Sequence, residues 1–229
     1  LLSHILSKFN INKMKSLNII VLFISLALLF SCNSKPAGEE ASTTEAGKAA
    51  VATGKSYQVN TANSAIMWTG SKIGGDHSGT LNLSDGSIAV EDGQVTGGSF
   101  TIDMNSIKNT DLAADKQGDL EGHLKNEDFF DVTKFPQGKF EITKITSVTG
   151  DPAASHLVYG NLTIKDVTKQ VGFKTKINVT ASGVQVTSPP FTIDRTEFNV
   201  KYGSDKFFDN LKDKAINDDI SLKLNISAS

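Results

Sequence analysis

Cysteine is almost absent from this chain: 229 residues contain one, Cys32. A single thiol makes no intramolecular disulfide and cannot supply the paired thiolates of a structural zinc site, so the fold must be held by its core. Tryptophan also occurs once, as Trp68, and tyrosine three times, against 13 phenylalanines. Aromatics so poor in N–H and O–H groups suit an interior with few polar atoms to satisfy. Basic residues are not in excess, with 23 Lys and Arg against 25 Asp and Glu. That balance argues against a nucleic-acid partner, which calls for a basic patch or stripe. Long apolar runs are missing too. The longest, Leu17 to Phe30, falls short of the roughly 20 residues needed to cross a bilayer as a helix. His77, His123 and His156 lie far apart in no ligand-like spacing, and no metal site is expected. Gly54-Lys55-Ser56 lacks the first glycine of a phosphate loop, and no Gly-x-Ser-x-Gly elbow is present.

What is there begins at the amino-terminal side. Lys13 and Lys15 precede the apolar run, which closes in Leu29-Phe30-Ser31-Cys32. A basic region, a short apolar stretch and a small residue before the break describe a bacterial signal peptide. Leucine, any residue, a small residue and cysteine resemble the lipobox of bacterial lipoproteins. We therefore expect residues 1–31 to be a signal peptide with an upstream non-native extension, the reading frame starting at Met14. Cys32 is the expected lipid-attachment site, placing the protein in the bacterial cell envelope, membrane-anchored and facing the periplasm or the surface. Removing residues 1–31 takes away Lys8, Lys13 and Lys15 and no acid, leaving 20 basic against 25 acidic residues, a net charge near −5. Residues 33–55 contain no aromatic and are rich in Ala, Thr, Ser, Gly and Glu, so a disordered tether over 32–55 is expected.

From Tyr57 onward the pattern has period two. Phe100, Ile102 and Met104 alternate with polar residues, as do Phe140 with Ile142, Leu162 with Ile164, and Phe191 with Ile193. Such alternation marks half-buried strands. About eight are expected, at 57–60 with 65–73, 77–90, 94–106, 138–149, 156–165, 169–182, 184–197 and 216–227. Thr110 to Phe130 breaks the rhythm with Leu112, Leu120 and Leu124 at helical spacing. Thr110 or Asp111 is the expected N-cap, and Gly118 is expected to divide the segment into two short helices. A further irregular insert is expected over 204–214. Many antiparallel strands without a disulfide point to a closed barrel, since closure alone removes exposed edges. Arg195 shares strand parity with Phe191 and Ile193, so its charge needs a partner, expected to be Asp128 or another helix carboxylate, with the polar head of a ligand as the alternative.

Several separated blocks in this order resemble the YceI-like family of bacterial polyisoprenoid-binding barrels. They are Leu120 to Asp131, Lys134-Phe135-Pro136, Gly160 to Lys169, Phe191-Thr192-Ile193-Asp194-Arg195, and Trp68-Thr69-Gly70 with His77-Ser78-Gly79. The resemblance implies an all-β, eight-stranded antiparallel lipocalin-like barrel over 56–229 with a short helical insertion. It also implies an apolar lumen holding an isoprenoid chain, polyprenyl or quinone-type, for sequestration or transport, with no cofactor and no enzymatic activity. Expected lumen residues are Trp68, Phe100, Ile102, Met104, Phe129 and Phe140, then Ile142, Leu162, Ile164, Phe173, Phe191 and Ile193. Trp68 and Phe129 should lie near a mouth, and His123, Asp128 and Arg195 at a polar end. Partners expected are the lipid and, through the acyl anchor, the membrane; a homodimer is left open. Two rival readings stand beside this one: an envelope hydrolase with His123 as acid–base residue, and a ligand-free stress or structural module.

Overall fold

The computed structural model describes residues 36–229, so the signal peptide, the start at Met14 and Cys32 lie outside the described residues. Strands β1 (Glu39–Glu40), β2 (Ser42–Glu45) and β3 (Lys55–Gln58) precede the longer β4 (Ala65–Lys72), β5 (Gly75–Glu91) and β6 (Gln94–Asn109). After helix α1 (Ala114–Lys125) come β7 (Gln137–Ser147), β8 (His156–Ile164) and β9 (Val167–Thr180). The chain ends with β10 (Gly183–Thr187), β11 (Phe191–Asp194) and β12 (Ile216–Ala228).

Antiparallel pairing runs through β4, β5, β6, β7, β8, β9, β10 and β12 and returns to β4, where Trp68 faces Leu222 and Ile66 faces Leu224. This is the closed eight-stranded barrel that the alternation predicts. The longest hairpin, β5 with β6, carries irregularities between Thr80 and Asn82, Leu83 and Asp85, and Ala89 and Val90. Bulges of this kind bend a strand and raise its twist, which wrapping a small barrel requires.

The strand expected over 184–197 is divided in two. Pro189 and Pro190 have no N–H to give a ladder, so pairing stops there. Ser188 holds the break in place: its N–H donates to the Leu224 carbonyl (3.1 Å) and its Oγ accepts from the Leu224 N–H (2.9 Å). Past the break, β11 continues along β12 but does not rejoin β9.

The expected tether fills that gap, which corrects the reading of 33–55 as disordered wherever the residues are described. β1 pairs parallel with β11, Glu39 opposite Phe191 and Glu40 opposite Thr192. β2 then pairs antiparallel with β9, from Ser42 opposite Gly172 to Glu45 opposite Lys169. Gly38 passes so close to the Phe191 backbone that a Cβ would sit 2.9 Å from it, and its φ of 146° favours glycine as well. Beyond β2 the strap crosses the outer wall. The Gly47 N–H donates to Asn161 Oδ1 (2.9 Å), Asn161 Nδ2 returns a bond to the Gly47 carbonyl (2.7 Å), and the Ala50 N–H donates to the Ile142 carbonyl (2.9 Å). Composition misleads here because the order comes chiefly from backbone groups on two unpaired strand edges, with Ala41 the one apolar side chain of the strap in the core.

The helical insert is one helix, not two. Gly118 costs only about 1 kcal/mol relative to alanine within a helix, while Leu120 and Leu124 on the same element face the barrel interior. Neither Thr110 nor Asp111 caps it; the N-cap is Ala113, with no side-chain bond. Asp111 instead accepts from the Ser78 N–H (2.8 Å) and pairs with His77 Nδ1 (3.0 Å) on β5. The second insert is irregular as expected, with a single 3-10 turn at Lys212–Lys214.

Ala41, between β1 and β2, is 6% exposed and packs in the main core. Ala41→Asp should therefore lower unfolding free energy by about 2–3 kcal/mol in urea titrations and speed amide exchange in β2. A strap lying loosely on the wall would leave both unchanged.

Candidate functional site

Inward-facing residues of the strands enclose a lumen of two adjoining chambers. The inner one, about 100 Å³, is lined by Phe100, Phe140, Ile142, Phe173 and Phe191 among other apolar side chains. Four of these rings form a row across the barrel. Phe100 and Phe140 are 6.2 Å apart, Phe140 and Phe173 are 5.6 Å apart, and Phe173 stacks on Phe191 at 4.2 Å with planes 2° from parallel. Gly160 on β8 makes room for the row, since a Cβ there would collide with the Phe140 ring. Thr175 is the one polar residue lining this chamber, and its hydroxyl donates to the His156 carbonyl (3.5 Å).

The outer chamber is larger, about 800 Å³, within the usual range for small-molecule sites. Trp68, Met104, Phe129, Ile164 and Ile193 line it, and Ile102 and Leu162 line both chambers. Its rim carries exposed Lys72, Ile73, Tyr202 and Lys214. Polar residues gather here and not below: Ser71, His77, His123, Arg195 and Asn217 all line this end. The lumen is thus graded, apolar but for the bonded Thr175 at its floor and mixed near its mouth.

Arg195 organises the mixed end. It is 1% exposed. Its Nε donates to the Asn217 carbonyl (3.1 Å), one terminal nitrogen to the Val200 carbonyl (2.7 Å) and the other to the Ile216 carbonyl (3.0 Å). Asp218 supplies the countercharge at 3.4 Å, and the guanidinium lies over the Phe129 ring at 5.5 Å. Burial pulls its pKa below the ordinary value, against Asp218 and Asp194, which raise it. Asp218 also meets Lys206 (3.3 Å), and Lys206 meets Asp194 (2.5 Å), so four charges tie the loop after β11 to the start of β12. The expected partner Asp128 is not involved. It is exposed on the turn after α1 and lines neither chamber, because carbonyls and a carboxylate local to Arg195 satisfy the guanidinium first.

His123 lines the outer chamber in edge contact with Tyr202 (4.6 Å) and Phe129 (5.9 Å). The carboxylates that could orient it are elsewhere: Glu121 accepts from the Asn109 N–H (2.9 Å), and Asp128 is exposed. The other histidine there, His77, is paired with Asp111. Burial would raise the Asp111 carboxyl, but bonds from Ser78, His77 and Asn109 hold it below the usual carboxylate range.

The structure places every expected lumen residue on the cavity wall, the strand residues by parity and Phe129 from the turn after α1, while Asp128, expected at the polar end, lines neither chamber. Strand reasoning missed Ser71, Tyr202, Phe198 and Val200. Phe198 and Val200 are fully buried around Asn199, whose φ of 59° is left-handed, in a stretch with no strand period to read. Tyr202 sits in the irregular stretch just before the second insert, and no pattern marks it.

A closed antiparallel barrel around one elongated, largely apolar cavity, entered beside a helical insert, defines the lipocalin-like class of ligand-cavity barrels. More specifically, residues 57–228 match the YceI-like domain family, and the chain belongs to it. A UPF0312 protein of Yersinia pestis is 35% identical over 88 residues, covering 35% of this chain and 44% of the relative. Its Yersinia enterocolitica counterpart is 33% identical over the same length. The chain spans less than half the length of these curated relatives. Among solved structures, BcnA of Burkholderia cenocepacia superposes with a TM-score of 0.60 at 20% identity, covering 75% of this chain and 99% of that one. A domain from Saccharophagus degradans, described as polyisoprenoid binding and implicated in plant cell wall breakdown, gives 0.54 at 13% identity, covering 80% and 99%. At these identities the likeness shows the fold.

Arg195→Ala should cost about 3–5 kcal/mol in denaturant unfolding, because Asp218 loses its buried countercharge and three carbonyls lose their donor. Arg195→Lys should recover little, lacking the planar fork. A loss near zero would mean that the loop holds without the clamp.

Acid should act through Asp194 as well. Burial would raise its carboxyl, yet bonds from Lys206 and Thr196 hold it below the ordinary value. A depressed carboxylate contributes stability that is present above its unfolded pKa and lost as pH falls through the folded one. Melting midpoints should accordingly drop below about pH 4, and Asp194→Asn should flatten that limb; an unaltered limb would contradict the assignment.

Proposed function

We propose that this protein is a non-enzymatic carrier or sequestering protein for a long isoprenoid-type lipid in the bacterial cell envelope, tethered there through an acylated Cys32. The observation that carries the reading is the grading of the lumen. A floor lined by phenylalanine and aliphatic side chains offers a hydrocarbon tail nothing but contact surface, and each buried methylene is worth roughly 0.8 kcal/mol. The polar outer chamber receives the head of the same molecule. The description of the Saccharophagus degradans domain as polyisoprenoid binding supports the choice of tail. Hydrolase chemistry has less support: among the described residues no carboxylate or hydroxyl partners the His123 ring, which only packs on aromatics.

Organic extracts of the purified protein, examined by mass spectrometry, should contain a prenyl species in near-stoichiometric amount, and Phe173→Asp should lose it while a folded surface variant keeps it. Extracts that are repeatedly blank, together with no uptake of added prenyl lipid, would count for the ligand-free module. Separately, Cys32→Ala should abolish acyl labelling and release the protein from the membrane fraction; persistent labelling would place the lipid elsewhere.

A further inference from the structure

Among the described residues five large apolar side chains stand exposed, and four of them gather at the mouth end of the barrel. Ile73, 62% exposed, tips the hairpin between β4 and β5, and Tyr202 (41%) shares the chamber rim with it. Phe207 and Phe208, 47% and 48% exposed, follow in the second insert. Backbone bonds hold that insert to the same rim. The Ile216 N–H donates to the Gly203 carbonyl (2.8 Å), and Ile216 pairs with Lys72, beside Ile73. The Phe207 and Phe208 N–H groups both donate to the Ser204 carbonyl (3.0 Å each), and Lys201 lies over the Phe207 ring at 4.7 Å. Hydrogen-bonded backbone thus presents the rings outward, and a contiguous apolar patch of this kind marks a docking surface.

Two observations choose the occupant. The first is charge. Exposed Lys201, Lys206, Lys212 and Lys214 alternate with exposed Asp205, Asp209 and Asp213 around the rings, and Lys72 and Asp76 flank the hairpin tip. A protein partner closing over the rings would bury these charges, whereas interface cores are depleted of them. The headgroup layer of a bilayer stays wet, accepts both signs and lets lysine stems lie along apolar surface. The second is the length of chain ahead of the strap. The Ala37 carbonyl accepts from Ser221 Oγ on β12 (2.5 Å), five residues along that strand from Ile216 at the mouth. Five strand residues cover about 17 Å, and the five Cα steps from Cys32 to Ala37 reach at most about 18 Å. A lipid on Cys32 therefore leaves the mouth within reach of the membrane. We propose that Ile73, Tyr202, Phe207 and Phe208 dock into the headgroup layer of the phospholipid bilayer that holds the anchor, so that the lumen opens onto lipid and not onto water. This rests on the acylated Cys32 and the lumen reading above, and adds the surface that meets the membrane. With five lysines against four aspartates the rim is close to neutral, so apolar contact drives the docking. Alone, such a contact is weak and reversible; it orients the barrel while the acyl chains hold it.

Cys32 is the sole cysteine, so once it is acylated an introduced thiol is the only site for a dye. An environment-sensitive dye is placed on Asp209→Cys, exposed beside the rings, or on Ser182→Cys, exposed at the opposite end between β9 and β10. The acylated protein is reconstituted in vesicles of phosphatidylethanolamine and phosphatidylglycerol, and quenching by iodide is read. Relative to the same dye on soluble Cys32→Ala protein, quenching at position 209 should fall severalfold and the emission should shift to the blue. Position 182 should stay open to iodide. Ile73→Ser, Phe207→Ser and Phe208→Ser together should restore quenching at 209 and leave the melting midpoint nearly unchanged, since all three side chains are exposed. Shielding that survives these three substitutions overturns the proposal, as does equal shielding at both positions, which means a barrel lying on its side. Shielding at 209 in the Cys32→Ala protein without vesicles, growing with protein concentration, would give the patch to a second copy of the chain. If Cys32 itself takes the dye, the anchor is absent and the proposal falls with it. Prenyl lipid in extracts with position 209 open to iodide sinks the docking and leaves the lumen reading standing; blank extracts with 209 shielded do the reverse.

Discussion

Closure of the ladder between β4 and β12 is the constraint on which the rest of the structure depends. With Ile66 opposite Leu224 and Trp68 opposite Leu222, the register of every other strand is fixed around the ring. A slip of one residue would turn Phe100, Phe140, Leu162 and Phe191 outward and bring Ser99, Glu141, Asn161 and Thr192 in. The phenylalanine row and the apolar floor are therefore consequences of one choice of pairing. Bulges in β5 and β6 then let a ring of this size close without flattening.

A packed core would fill the space that this barrel leaves open. Side chains meet across the floor, where the Phe173 and Phe191 rings touch, but separate toward the mouth. The mouth keeps its shape by polar means. Arg195 gathers carbonyls from the turn after β11 and from the start of β12, and the Asp194, Lys206 and Asp218 charges brace it from outside. Removing the guanidinium leaves more unsatisfied atoms than it frees, so this small cluster is worth more as a unit than any of its pairs. Packing sets the wall, and hydrogen bonding to backbone sets the opening.

Much of this was legible in the sequence because alternation is a local signal. Phe100, Ile102 and Met104 reveal their face within five residues, and the same holds for Leu162 with Ile164 and Phe191 with Ile193. What could not be read depends on contacts far away in sequence. The strap over 36–54 has no apolar pattern, since its order comes from the edges of β9 and β11, more than a hundred residues downstream. Arg195 was recognisable as a charge in need of a partner, but backbone carbonyls carry no sequence signature, so Asp128 was the wrong choice. Asp111 looked like a helix cap because Asp often is one; its own hairpin neighbour Ser78 and His77 claim it instead.

The strap has a consequence for how the molecule keeps to itself. Residues 57–228, the span that matches the family, make a barrel whose wall parts above Pro189 and Pro190, where the upper half of β9 and the whole of β11 face each other unpaired. Two bare edges of that kind are templates for another chain, the usual route to swapped dimers and fibrils. Here the protein's own preceding residues occupy both, one side parallel and the other antiparallel, and their outward side chains are charged: Glu39 meets Lys174 and Glu45 meets Lys169 on the surface. The low-complexity stretch that looks like a spacer thus serves as a self-supplied gatekeeper. It occupies the strand-binding groove that a neighbouring copy would otherwise find open.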